Sequence, residues 1–383
     1  MSTPAHDQAA LSGVLVRFPL VWRPHLSCPP LQERVHQVAS FAQAAHRTED
    51  GDEQKRNALA AWNMAALIAA DCGLSGLAAR WCEHQFRLLH PDGTVPRPAS
   101  VSALQPLLNL TRLIARSGDP QRAYQELSNL RTSALHGGSV RIHGFEIHFD
   151  EPVKGTGGDG EVCSWLDRIL LQDGTRLLAR TGQWDRAAEH ARRHARGTGR
   201  VDEFCQTQAI AHLVCGRVGP ARKVLDAAVA DQLWEQAVIA CLHGCVDLSQ
   251  YSPAPPQVAH LCEVTQAARA REAAEPATAL FRLRLSLVAA ELLAASDPSH
   301  ADLWCAQLIA EAAISDDAFL SKEMLSCLVT RQRLASHQER VLTRRVRAAG
   351  LDQGELPRTV ATPLAQALDI AGEVLRRVQE PSG

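Results

Sequence analysis

Four glycines in this 383-residue chain end an apolar run and are followed, five residues on, by an alanine: Gly73 and Ala78, Gly118 and Ala123, Gly182 and Ala187, Gly216 and Ala221. A helix that must stop and reverse within a few residues favours glycine just past its last turn. Glycine reaches the left-handed backbone region without a Cβ clash. Five residues later the returning helix is about a turn old and lies close to its partner. Only a small side chain there lets two helix axes approach to about 8–10 Å. The runs before the glycines have helical spacing, as with Leu107, Leu110 and Ile114 ahead of Gly118. The chain is therefore expected to fold as successive antiparallel helix pairs, with a degenerate copy of the turn at Ser296 and Ala301.

Composition agrees. Apolar residues make up 46% of the chain but aromatics only 4%, which suits alanine- and leucine-rich helices. A net charge of −2 supplies no global field toward nucleic acid or an anionic membrane. The eleven cysteines are an odd count, and most fall on expected helices. They read as small buried groups in a reducing compartment. The apolar run 13–22 is too short to span a membrane and is broken by Arg17 and Pro19. A soluble, cytoplasmic chain is expected.

Gly182 and Gly216 stand 34 residues apart, the period of a tetratricopeptide helical hairpin. Over roughly residues 54–230 the chain resembles the tetratricopeptide-repeat family. Trp62 stands where that family favours a large aromatic early in the inner helix, and Trp184 matches its aromatic two residues after the turn glycine. The small residue in mid inner helix is Ala66, Thr111, Thr175 or Ala209, never glycine, and spacing outside the central pair is uneven. The resemblance implies an all-α, tetratricopeptide-like α-solenoid, a right-handed stack of antiparallel helix pairs with one short β-hairpin insertion.

Three parts are expected along the chain: an extended, proline-rich N-terminal arm over 1–30, a helical-repeat domain over 31–250, and C-terminal helical repeats or a cap over 257–383. The boundary falls in YSPAPPQ, where prolines cannot continue a helix. Segment 137–160 interrupts the helical pattern. Its SVRIHGFEIHF alternates around His143–Gly144, predicting a short hairpin, and the glycine-rich KGTGGDGE follows. Such an insertion is expected to project from one face and to be a place for function. PDGTVPRPAS reads as a loop, RTEDGDEQK as an exposed turn, and 318–349 as a helix with a break near Ser336.

Motifs for chemistry are sparse. His190 and His194 are four apart on one helix, within reach of one metal, but Arg192, Arg193 and Arg196 would repel a cation and Glu189 precedes His190. Cys241 and Cys245 share a helix face with His243 turned away, which predicts buried packing. His143, His148 and Asp150 read as ordinary hairpin surface. No GxSxG, Walker loop, HExxH or strand-linked GxGxxG occurs, and Asp316–Asp317 lacks the further acidic partner of a prenyl-diphosphate site. The basic run Arg331, Arg333, Arg340, Arg344, Arg345 and Arg347 is interspersed with Glu323 and Glu339 and lacks stacking aromatics, which argues against nucleic acid. No catalytic residue, metal or cofactor is expected.

The resemblance implies ligand contacts at fixed distances before each turn glycine. Six and two positions before Gly118 stand Arg112 and Arg116; the same offsets before Gly182 give Arg176 and Arg180. Ten before Gly73, Gly182 and Gly216 stand Asn63, Gln172 and Gln206. The first pair has Leu67 and Asp71 at the arginine positions, so the basic strip stops there. Guanidinium forks suit carboxylates or phosphates, and amides suit an extended peptide backbone. The expected function is a non-catalytic interaction or scaffold protein whose concave groove holds a peptide segment, an acidic one if the arginines set the choice. The partner is a protein or peptide, with no nucleic acid and no membrane. Two alternatives stay open: an enzyme or accessory subunit using the 137–160 insertion, and a helical sensor or regulator lacking a DNA-binding module, which a small deep pocket would favour.

Overall fold

The computed structural model describes residues 11, 13–96, 99–153, 158–195, 199–250, 255–272 and 275–379. Parts of several expected features lie outside them: the start of the arm, residues 97–98 of the PDGTVPRPAS loop, residues 154–157 of the glycine-rich loop, residues 251–254 of the boundary segment, and residues 273–274 and 380–383 of the C-terminal block. Arg196 lies outside them as well. The fold is all-α with one short β insertion. In chain order the helices are α1 (Leu31–Arg47), α2 (Gly51–Asp71), α3 (Ser75–Leu89), α4 (Val101–Arg116), α5 (Pro120–His136), α6 (Gly158–Ile169) and α7 (Thr175–Arg180). A five-residue π-helical turn, Leu170–Gly174, joins α6 to α7. Then come α8 (Trp184–His194), α9 (Glu203–Val214), α10 (Val218–Asp226), α11 (Leu233–Leu248), α12 (Pro255–Glu272) and α13 (Ala279–Ser296). The last are α14 (Pro298–Ile314), α15 (Ala318–Ser326), α16 (Leu328–Arg331), α17 (Ser336–Ala348) and α18 (Arg358–Gln379).

All four glycine turns close in the same way. Gly73, Gly118, Gly182 and Gly216 have φ of 82°, 97°, 72° and 71°. At each, the glycine N–H reaches the carbonyl three residues back and the next N–H the one five back: Gly73 to Ala70 and Leu74 to Ala69, through to Gly216 to Leu213 and Arg217 to His212. This is the double-bonded left-handed helix stop. Ala78, Ala123, Ala187 and Ala221 are all 0% exposed, as close helix packing requires. The degenerate copy closes differently. Asp297, at φ −145°, ends α13 and its carboxylate caps α14 through the His300 N–H at 3.1 Å, while Ala301 is again fully buried.

Contacts divide the chain into two compact units, but not where the prolines suggest. One, the sheet unit, comprises Pro29–Leu177 and Arg347–Gly383; the other, the arm unit, comprises Met1–Cys28 and Leu178–Val346. The seam falls inside α7, and the expected 257–383 block is split because α18 packs back on α1 and α2. There Leu364, Ala371 and Leu375 share a core with Val38, Ala42 and Ile68. The approach to α18 is held by the Asp352 and Gly354 N–H groups, which donate to the carbonyls of Asp71 and Cys72. Trp62 is buried in the same core. In the arm unit, α11 and α12 pack directly on one another across the expected boundary.

The hairpin forms as the alternation predicts. Strands β2 (Gly138–Ile142) and β3 (Phe145–Phe149) pair antiparallel, and His143 and Gly144, at φ 54° and 85°, make the primed two-residue turn. Several expectations change. Thr94–Val95, read as loop, forms strand β1, parallel to β3, so the order is β1-β3-β2. The hairpin also does not simply project: Val140, Ile142, Ile147 and Phe149 are buried in a core with Phe86, Leu104 and Leu127. The exposed turn near residue 50 is instead the start of α2, where the Asp50 carboxylate accepts the Asp52 and Glu53 N–H groups. Past Ala318 the expected break falls just before Ser336, and a further interruption at Cys327 separates α15 from α16.

An added Cβ at Gly118 would meet nothing within 4 Å, so Gly118→Ala bears the left-handed backbone cost alone, about 1–2 kcal/mol. At Gly350 (φ 74°) it would also meet Cys72 Sγ at 3.0 Å and Leu31 Cδ2 at 3.1 Å. Denaturant unfolding should show a larger loss for Gly350→Ala than for Gly118→Ala. The reverse order would contradict these turns.

Candidate functional site

On the sheet unit, α4 presents Gln105, Asn109, Arg112 and Arg116 at intervals of four, three and four, which is one helical face. The Gln105 Nε2 donates to Asn109 Oδ1 at 3.1 Å, and Asn109 Nδ2 donates to Asn63 Oδ1 on α2 at 2.7 Å. Arg112 Nε donates to Asp173 Oδ2 at 2.8 Å, and Arg116 Nη1 to Asp71 Oδ1 at 3.1 Å. The other Asp71 oxygen takes Arg34 Nη2 at 2.6 Å. Asn63, Arg112 and Arg116 are thus joined into one polar strip across neighbouring helices. Both arginines are tied to aspartates, so the strip is not a block of unopposed positive charge.

Of the offsets counted from Gly182, the one to Gln172 runs into the π-helical turn Leu170–Gly174, which departs from ordinary helical phase, while Arg176 and Arg180 lie on α7, between that turn and the glycine. Asp173 faces Arg112, while Gln172 and Arg176, both half-buried, flank it in sequence. Arg180, exposed, and Gln206 belong to the arm unit.

Gln206 is 0% exposed and grips the chain itself. Its Oε1 accepts the Leu20 N–H at 2.7 Å and its Nε2 donates to the Leu20 carbonyl at 2.8 Å, the pairing a neighbouring strand would make. The arm runs on along the unit. The His25 N–H donates to Ala277 O at 2.7 Å and the Cys28 N–H to Asp317 Oδ1 at 3.0 Å; the Ala318 N–H donates to Cys28 O at 2.9 Å. Phe18 and Leu20 are buried in the unit's core. Arg17 lies between two carboxylates, 3.0 Å from Glu291 and 3.3 Å from Glu323, and Arg23 pairs with Glu203. Burial opposes the Arg17 charge, but the hydrogen bond and charge of Glu291 outweigh it and raise its pKa.

The other candidates separate. His190 and His194 have ring centroids 4.6 Å apart, but no group of three metal-ligating residues occurs among the described residues. On the hairpin, His148 bonds Ser139 Oγ at 2.7 Å, while the His143 N–H donates to Glu126 Oε2 at 2.7 Å, so the two histidines serve different partners. Cys241 and Cys245 are fully buried; burial pushes the Cys241 thiol up to about 12 and that of Cys245 well above its ordinary value. Both are poor nucleophiles at neutral pH. His243, on the opposite face of α11, borders a cavity of about 520 Å³ in the arm unit that the sequence reading did not find. No described helix is long and apolar enough to cross a membrane.

Two outcomes follow. Gln206→Leu strands the Leu20 N–H and C=O, at about 1–3 kcal/mol for each unpaired group. Proteolysis within 18–28 should accelerate at least tenfold, whereas an unchanged rate would mean that the clamp does not hold the arm. His90, 8% exposed against Phe86, has its pKa lowered to about 4, chiefly by burial and further by Lys55. Unfolded histidine titrates near 6.5, so below that pH the unfolded chain binds the proton more readily. Stability should fall from pH 6.5 toward 4, by about 3 kcal/mol at most, and His90→Leu should lose that component. Parallel pH profiles for the two proteins would contradict the assignment.

No protein-family model, curated protein or solved structure matches the chain.

Proposed function

We propose that the chain is a non-catalytic interaction protein that holds an extended peptide segment against paired, tetratricopeptide-like helices. One observation carries this reading: the Gln206 amide takes both backbone groups of Leu20 in a segment 186 residues away. Gln206 is one of the positions at which an amide was expected to grip extended backbone, and its occupant is the chain's own arm. On the sheet unit the Asn63–Asn109–Gln105 amide row lies beside arginines already neutralised by Asp71 and Asp173. A partner segment there is read through its backbone more than through its charge. The enzyme alternative loses its simplest test, because removing 139–160 would strip Val140, Ile142, Ile147 and Phe149 out of the core.

A displayed library of 12-residue peptides, selected on the intact chain against an unrelated control protein, tests the proposal. An enriched peptide should bind the Asn63→Ala/Gln105→Ala/Arg112→Ala variant at least tenfold more weakly. Its affinity should change less than threefold between 50 and 500 mM salt. Failure to enrich any peptide, or equal binding by the variant, would end this reading. A second reading, a helical sensor or regulator without a DNA-binding module, is favoured by the cavity bordered by His243.

A further inference from the structure

The arm-unit cavity opens between α10, α11, α12 and α13. Its origin is legible in α11. Gln236, Ala240, Gly244 and Asp247 recur at intervals of four, four and three, and so lie on one face. Ala240, in the middle of that face, supplies almost no volume where a larger side chain would fill the space. Val258, Leu261 and Val264 of α12 and Leu292 of α13 form the apolar wall. Leu292 closes directly on the α11 backbone, since a Cβ at Gly244 would stand 3.0 Å from Leu292 Cδ1. A volume of about 520 Å³ falls in the range of small-molecule sites.

Polar groups gather at the rim, and the charged pair among the lining residues, Arg222 and Asp247, is matched. Arg222 Nη2 lies 2.6 Å from Asp247 Oδ1, and His243 Nε2 lies 3.4 Å from Asp226 Oδ1. Burial, first, and then Arg222 and His260 lower the His243 pKa against the opposing pull of Asp226 and Asp247, which leaves a neutral imidazole at pH 7. An incoming carboxylate would stand beside Asp247, and an incoming ammonium beside Arg222. A hydroxyl or amide meets neither penalty, because a neutral imidazole either donates or accepts and the Arg222 guanidinium has five N–H donors.

We infer that this cavity binds a small uncharged amphiphile: an aliphatic or alicyclic body against the Val258–Leu261–Val264–Leu292 wall, with a hydroxyl or amide head at the Arg222–Asp247–His243 rim. Displacing water from such a wall is the driving force, and the rim orients the head. The inference concerns ligand class and stands whether or not occupancy regulates anything, so it is independent of the sensor reading and of peptide binding.

Equilibrium dialysis of the intact chain at pH 7 with 1-decanol, decanoate and decylamine tests it. Decanol should saturate one site at least tenfold more tightly than either charged analogue. Ala240→Phe and, separately, Val264→Phe should each fill the space and weaken decanol at least tenfold while far-UV circular dichroism is unchanged. No saturable decanol site would overturn the inference, as would a charged analogue binding as tightly. Undiminished binding in the folded filling variants would do the same. If one filling variant fails to fold, the other variant and the head-group ranking still decide.

Discussion

Every glycine-ended helix in the four repeated turns satisfies its last carbonyls with the same two N–H groups, and that closure needs one residue in the left-handed region. The consequences run outward. The returning helix starts at a set distance from the glycine, so the residue five positions on always meets the helix just left behind, and alanine is the side chain that fits. Where no glycine is available, at Asp297, a carboxylate cap does the reversing and the buried alanine remains. The fold therefore depends on the backbone geometry of a few reversals more than on large side chains, in keeping with an aromatic content of 4%.

Extended chain laid against helices brings a second constraint. Backbone N–H and C=O groups taken from water must find partners, and helices have already used most of theirs internally. Side chains must then provide the pairing. In the arm unit Gln206 and Asp317 do so, and Arg17 is buried only because Glu291 and Glu323 both face it. Arg284 in turn reaches Glu323 at 2.6 Å, so that carboxylate is shared between two guanidiniums. On the sheet unit the same types of group form a strip whose charges cancel locally through Asp71 and Asp173.

The helix pairs were legible in the sequence because their turns demand particular residue types at a short, constant interval. The hairpin was legible because His143–Gly144 sits inside a period-two alternation. Other features are set by distance in space. That Asp71 neutralises Arg116, instead of merely ending a basic strip, depends on two neighbouring helices lying in register. Counting back from Gly182 to Gln172 assumes an unbroken helix, which the π-helical turn at Leu170–Gly174 interrupts; the shorter counts to Arg176 and Arg180 do not reach that turn. Gln206 was singled out as an amide for extended backbone, but nothing local reveals that Leu20 is what it holds. The seam between the two contact units within α7 has no linker composition to mark it. The cavity is silent in the sequence for a related reason: Gly244 does serve a close helix crossing, against Leu292, and only the placement of α12 leaves space beside Ala240.

Amide hydrogen exchange at Leu20 tests most directly whether side-chain amides on these helices hold extended backbone. The Leu20 N–H, bonded to Gln206 Oε1 at 2.7 Å, should exchange as slowly as the core amides of α9 and α13. Exchange at the rate of an unstructured arm would contradict the clamp, and with it the reading of the helix pairs as a surface that grips extended chain.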